Sequence, residues 1–270
     1  MNRFASVDDE YPEIEERYLV APGETRVLLA GVADHLSVDR FDPARPIAFV
    51  RSTYFDSDDL DLFRSKRRRR IRLREYAGAP GPHGIPTLTG ACAFELKESV
   101  GAERRKLRFV GDRTDLMRLL RRGPHRPIEA DLARASADVR SGRLRPRLTT
   151  FFRRRSYTGD GIRLTLDDRL TFARPVRLGH AGDPAEPVDV IGRGPQLVLE
   201  IKLAGPRPRW VSEAVRGFLL MNRFSKFKGG MLALGRADEV APASPRASMA
   251  SWLRLHDVPG AHQLDSGRDR

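Results

Sequence analysis

Over much of the chain, polar and apolar residues alternate with a period of two, the spacing of a strand whose two faces meet different surroundings. From Arg70 the alternation is strict, with Arg72 and Arg74 on the same side as Arg70 and with Ile71 and Leu73 opposite. Residues 93–98 (AFELKE) place Glu95 and Lys97 against Phe94 and Leu96, and residues 104–110 place Arg104, Lys106 and Arg108 against Leu107 and Phe109. These two segments are close enough in sequence to form a hairpin. Further strands are expected at 13–20, with Glu13, Glu15 and Arg17 on one face, and at 47–55, which is rich in β-formers. Strands at 147–157 and 162–168 flank Gly159-Asp160-Gly161, a hairpin turn signal; the second carries Arg163, Thr165 and Asp167 on one face. Residues 197–203 (LVLEIKL) repeat the Glu-x-Lys pattern with Glu200 and Lys202.

Helical spacing predicts helices over 24–38, 112–122, 128–140 and 210–221, and acidic residues at 56–59 open a short one over 60–65. Glycine and proline mark loops at 78–90 and 180–195. The organisation expected is one domain over 1–235 followed by a tail, 236–270, rich in Ala, Pro and Ser, with a short helix at 251–255 that could dock.

Composition sharpens this picture. A chain of 270 residues can bury a real core, and its net charge of +13 calls for an acidic partner: nucleic acid, a membrane surface or a free polyanion. The single cysteine, Cys92, excludes an internal disulfide and points to a reducing compartment. No apolar run approaches the roughly 20 residues of a membrane span, and the N-terminus has no apolar leader, so a cytoplasmic protein is expected. Only six of the 49 basic residues are lysines, and most fall within the alternating motifs, where a compact ammonium is wanted rather than a planar fork.

Charged faces on so many strands would be the solvated exterior of an ordinary sandwich. Their density favours another arrangement, a closed antiparallel barrel whose charged faces line a tunnel and whose apolar faces pack outward on helices. Carboxylates set among many Arg and Lys suit a polyphosphate anion held with a divalent cation, whereas nucleic-acid grooves rarely place glutamates among lysines. The sequence has no P-loop, no histidine cluster with metal-ligand spacing and no nucleophile pair, none of which phosphoryl transfer requires.

In order along the chain, Glu13-x-Glu15-x-Arg17, Tyr54-Phe55-Asp56, Arg70-x-Arg72-x-Arg74, Glu95-x-Lys97, Phe152-x-Arg154, Arg163-x-Thr165-x-Asp167, Glu200-x-Lys202 and Ser225-Lys226-Phe227 resemble the VTC (vacuolar transporter chaperone) domain, one of the triphosphate tunnel metalloenzymes. The resemblance spans about residues 13–234 and implies an α+β fold, an antiparallel β-barrel tunnel flanked by helices. It also implies an ATP-dependent polyphosphate polymerase that adds the γ-phosphoryl of ATP to a growing polyphosphate chain with Mn²⁺ or Mg²⁺. By position, Arg72, Arg74, Lys97, Arg154 and Lys226 resemble the catalytic phosphate ligands, and Arg17, Arg70, Lys106, Arg163 and Lys202 extend the substrate-binding wall. Glu200 resembles the metal-binding carboxylate, with Glu95, Glu15 and Asp167 as further metal candidates. Arg17 stands where the family usually has lysine, and Phe152 where it usually has tyrosine. The same lining would serve a tunnel triphosphatase or a non-catalytic polyphosphate-binding module. ATP and polyphosphate are the expected partners, with no nucleic acid and no membrane span.

Overall fold

A computed structural model describes residues 14–39, 47–65, 68–80, 86–100, 103–175, 190–194, 197–221 and 224–235. The strands are β1 (Ile14–Val20), β2 (Ser37–Val38), β3 (Ile47–Asp56), β4 (Arg70–Pro80), β5 (Pro86–Val100), β6 (Glu103–Asp112), β7 (Arg145–Gly159), β8 (Ile162–Ala173), β9 (Val190–Arg193), β10 (Leu197–Leu203) and β11 (Leu219–Leu220). The α-helices are α1 (Thr25–Ala33), α2 (Asp61–Arg64), α3 (Arg113–Arg122), α4 (Ala130–Arg140), α5 (Arg209–Ala214) and α6 (Lys226–Ala233). One antiparallel sheet runs β11-β1-β10-β8-β7-β3-β4-β5-β6, with β2 beside β7 and β9 beside β8.

The sheet is curled. Strands β1 and β5 are six steps apart along it, which in a flat sheet would separate them by about 29 Å. Yet Lys97 Nζ on β5 lies 3.7 Å from Glu15 Oε2 on β1. The hydrogen-bonded ladder does not close among the described residues, so the tunnel is completed there by side chains.

The outward faces bury the helices, as the alternation requires. Leu164, Leu166, Leu199 and Ile201 pack with Leu28 and Val32 of α1 and Val211 of α5. Ile71, Leu73, Phe94 and Leu96 pack with Leu116 and Leu119 of α3 and Leu132 of α4. A third cluster lies on the inner side. Going along the inward-facing positions, Glu15 and Arg17 give way to Leu19 on β1, Lys202 and Glu200 to Val198 on β10, and Arg154 to Phe152 and Leu148 on β7. On β8 a register shift at the Phe151/Arg153 step accompanies a positive φ of 52° at Arg169, after which Leu170 and Phe172 join the cluster. Helix α6 fills this apolar end with Phe227, Met231 and Leu232. One half of the barrel interior is polar and the other is core.

Several expectations need correction. The helix expected at 24–38 stops at Ala33, and Ser37–Val38 pairs with β7 instead. The helix expected at 210–221 ends at Ala214; Gly217, with φ 88°, turns the chain so that Leu219–Leu220 pairs with β1. The loop expected at 78–90 is strand on both sides of residues 81–85, because the β4–β5 hairpin runs on past the Gly/Pro signals. Part of the loop at 180–195 is β9. Helix α6 was hidden by Gly229-Gly230, poor helix formers by propensity. A Cβ on Gly230 would come within 2.4 Å of Leu148 Cδ2, so packing against β7 demands glycine there. Glu13, the tail 236–270 and the docking helix at 251–255 lie outside the described residues.

The candidate polyanion site

The polar half of the interior is a cavity of about 90 Å³, room for several waters. Its lining brings together Arg72, Arg74, Lys97, Arg154 and Lys226, all five of the wall residues Arg17, Arg70, Lys106, Arg163 and Lys202, and the carboxylates of Glu15 and Glu200. Ten basic side chains therefore face two acidic ones. Strand alternation does the positioning: on β4 the positions of Arg70, Arg72 and Arg74 are two residues apart, and on β10 those of Glu200 and Lys202 are as well.

Cross-strand register arranges these side chains in rows. Arg70, Lys97 and Lys106 are successive partners across β4, β5 and β6, so three cations lie side by side with no acid among them. The next row is Tyr54, Arg72, Glu95 and Arg108. On the opposite wall, Thr165, Glu200 and Arg17 are partners across β8, β10 and β1, and the neighbouring row holds Arg163, Lys202 and Glu15.

Glu95 and Asp167, both read from sequence as metal candidates, do not line the cavity. Each is 1 % exposed and faces cations on its own wall. Arg72 Nε donates to Glu95 at 2.5 Å, and Arg108 donates to its other oxygen from Nε at 3.0 Å. Burial alone would raise the Glu95 pKa, but Arg72, Arg74, Lys106 and Arg108 hold it well below the usual carboxylate range. Asp167 accepts two hydrogen bonds from Arg154, at 2.6 and 2.7 Å, and one from Lys226 at 2.6 Å. Burial opposes ionisation here too, and Arg154 and Lys226 overcome it to lower the pKa. Each of these two carboxylates is enclosed by guanidinium and ammonium groups and holds the cations in front of it in place.

Glu200 and Glu15 are the carboxylates that reach the cavity. They flank Arg17, whose Nε donates to Glu200 Oε2 at 3.0 Å and whose other nitrogen contacts Glu15. Burial would push the Glu200 pKa up, but Arg17, Arg154, Lys202 and Lys226 keep it well below its ordinary value. Among the described residues no group of three or more His, Cys, Asp or Glu converges on a metal position. Two carboxylates still suit Mg²⁺ or Mn²⁺, which keep several waters and take their remaining oxygens from phosphates.

The lysines show what the cavity lacks. Burial pushes Lys97 down to about 7, with Glu200 offsetting part of the effect and Arg17, Arg72 and Lys202 adding to it. Lys106 is pushed down to about 6 by burial, despite Glu95. Lys202 is lowered as well, and burial brings even Arg70 to about 10. Arg74 and Arg154 are instead raised, because Glu95 and Asp167 outweigh their burial.

Four lining residues were not among the site residues read from sequence: Tyr54, Thr165, Phe224 and Ser225. Thr165 shares its face with Arg163 and Asp167, so alternation could have found it had neutral residues been counted. Tyr54 lies in a strand with no clear alternation; it is 3 % exposed, stacks on Phe227 with ring centroids 5.1 Å apart, and its pKa is lowered by Arg72, Lys226 and Arg74 against the effect of burial. Ser225 caps α6 by accepting from Lys228 N, which sets Lys226 at the first residue of the helix rather than at a helix C-terminus. Lys226 Nζ also lies 4.7 Å from the centroid of the Phe152 ring.

The curled sheet and its lining define a barrel-like fold whose polar half is a strongly cationic cavity. Residues 13–235 match the VTC domain, most of the chain, and the protein belongs to that family. It is 28% identical to Vacuolar transporter chaperone complex subunit 4 of Schizosaccharomyces pombe in an alignment that covers 81% of this chain. The chain spans 37% of that relative's length. Similar solved structures include a candidate adenylate cyclase from Bacillus halodurans (14% identity, 88% of this chain and 96% of that one, TM-score 0.44). Another is a candidate adenylyl cyclase from Hippeastrum with a dominant triphosphatase activity (15% identity, 88% and 95%, TM-score 0.41). No helix among the described residues is long and apolar enough to cross a membrane.

Proposed function

We propose that this protein is an ATP-dependent polyphosphate polymerase that transfers the γ-phosphoryl group of ATP to a growing polyphosphate chain. The observation that carries the reading is the company Glu200 keeps: an accessible carboxylate inside a cavity lined by ten cations, a combination that suits phosphate and a divalent metal together. In this reading Arg72, Arg74, Lys97, Arg154 and Lys226 hold the triphosphate, with Arg17, Arg70, Lys106, Arg163 and Lys202 extending the track. Glu200, with Glu15 beside it, would hold Mn²⁺ or Mg²⁺, which when bound neutralises charge on the phosphates. A terminal oxygen of the acceptor chain attacks the γ-phosphorus, the bond from that phosphorus to the β,γ-bridging oxygen breaks, and ADP leaves with the electron pair. Positioning and charge neutralisation supply most of the catalysis in such transfers, so no protein nucleophile is needed.

One observation favours a second reading, a tunnel triphosphatase. The polar cavity abuts the apolar cluster around Phe152, Phe224 and Phe227, an end that suits a short substrate and water better than a long acidic acceptor. Incubation with ATP and Mn²⁺, with ADP, free phosphate and long-chain polyphosphate resolved, separates the two. ADP with chains is the expected result; free phosphate without chains moves the assignment to the hydrolase, and no turnover removes both.

A further inference from the structure

Thr165 is the neutral group at the centre of the better-balanced wall. It is 4 % exposed, lines the cavity, and its hydroxyl has no hydrogen-bond partner among the described residues. A buried hydroxyl left unpaired costs stability, so one that lines a cavity points to a partner supplied by what the cavity binds. Its place defines that partner. Thr165 is the direct cross-strand neighbour of Glu200, and along β8 it separates Arg163 from Asp167, the residue that anchors Arg154. An anion gripped by Arg154 and Arg163 must pass over Thr165. Glu200 is already paired with Arg17 on its other side, and a hydroxyl at Thr165 can donate to an anion without adding a further cation beside that carboxylate.

We propose that the Thr165 hydroxyl donates a hydrogen bond to a phosphoryl oxygen of the bound polyanion, fixing which phosphate of the chain lies opposite Glu200. This rests on the polyanion reading of the cavity, and it makes Thr165 a positioning residue that sets the register of the chain.

The test compares Thr165→Val, which keeps shape and removes the hydroxyl, with Thr165→Ser, which keeps the hydroxyl. Each is titrated with inorganic tripolyphosphate by calorimetry, in EDTA and again with Mn²⁺, and the ligand-free proteins are unfolded thermally. Loss of a hydrogen bond to a charged acceptor should weaken binding by Thr165→Val about tenfold in both buffers, with Thr165→Ser within about threefold of wild type. The ligand-free Thr165→Val protein should be as stable as wild type or slightly more so, because an unpaired hydroxyl has become a methyl group. Unchanged affinity in Thr165→Val overturns the inference. So does a loss seen only with Mn²⁺, which would assign the hydroxyl to a metal-bound water, and so does a clear fall in ligand-free stability, which would make it a structural group. Failure of the wild-type protein to bind tripolyphosphate at all would instead overturn the polyanion reading itself.

Discussion

The two walls of the tunnel use the same device to different ends. On the β4–β5–β6 wall, five cavity-lining cations, Arg70, Arg72, Arg74, Lys97 and Lys106, stand before one enclosed carboxylate, Glu95. Across the cavity, Arg17, Arg154, Arg163, Lys202 and Lys226 are matched by three acids: Asp167 enclosed behind them, and Glu15 and Glu200 in front. The first wall carries more positive charge than its own acids can balance, and burial takes the excess out on its lysines. The second is nearly balanced and keeps carboxylates within reach of solvent. Under the proposed function an anion completes the first wall, and the second holds an anion and a cation together.

That division is most sharply broken by treating its carboxylates alike. Glu95→Gln leaves Arg72, Arg74 and Arg108 converging on a neutral amide with almost no access to water. Breaking a buried charge pair from one side costs about 3–5 kcal/mol, which for a domain of this size lowers the melting temperature by roughly 10 °C. Glu200→Gln, whose side chain is 18% exposed and meets Arg17 at the cavity edge, should shift melting by only a few degrees. It should keep tripolyphosphate binding in EDTA and lose most metal-dependent turnover. Added tripolyphosphate should restore part of the stability lost in Glu95→Gln by binding the folded state. Equal destabilisation by the two substitutions would show that the walls are not divided in this way.

A finer test uses the surplus charge itself. Lys97 is buried among Arg17, Arg72 and Lys202, and Glu200 and the Glu15 carboxylate 3.7 Å away offset only part of the cost of its charge. Lys97→Met should leave the ligand-free protein as stable as wild type, or raise its melting temperature by a few degrees, while weakening tripolyphosphate about tenfold. Lys226→Met removes a partner from Asp167 and should lower both. If Lys97→Met also unfolds the protein, the lysine is part of the frame and the first wall is not waiting for a ligand.

Much of this arrangement is legible in the sequence because period-two alternation is local. Arg70, Arg72 and Arg74 announce their shared face without reference to anything distant, and Asp160-Gly161 adopts the positive φ values that its hairpin signal requires. What stays hidden depends on distant parts of the chain. Alternation places Glu95 and Glu200 on equivalent inward faces, yet one is sealed by Arg108 from the next strand and the other is left open beside Arg17 from β1. The plugging of the barrel is hidden for the same reason: Gly229-Gly230 argue against a helix locally, and only the approach of Leu148 and Phe172 makes glycine the residue that fits.

The smallest effect expected is in proton linkage, and it reads the lysines of the first wall. Lys97 at about 7 and Lys106 at about 6 sit well below the ordinary lysine value of 10.5, burial being the largest cause of each. Between those values and 10.5 the unfolded chain binds more protons than the fold, so the ligand-free protein should gain stability as pH rises from about 6 through 10. Tripolyphosphate reverses the sign. Placed against the row of Arg70, Lys97 and Lys106, its charge raises both lysines, so binding takes up protons above about pH 6 to 7 and affinity falls as pH rises through 7 to 9. Below about pH 6 both lysines are already charged and their contribution levels off. Calorimetry in buffers of different ionisation heat reads this uptake directly: up to two protons at pH 8 in the wild type, and about one fewer in Lys97→Met. Uptake that is unchanged in Lys97→Met and Lys106→Met would place the titrating groups elsewhere and leave the first wall with no unmet demand for an anion.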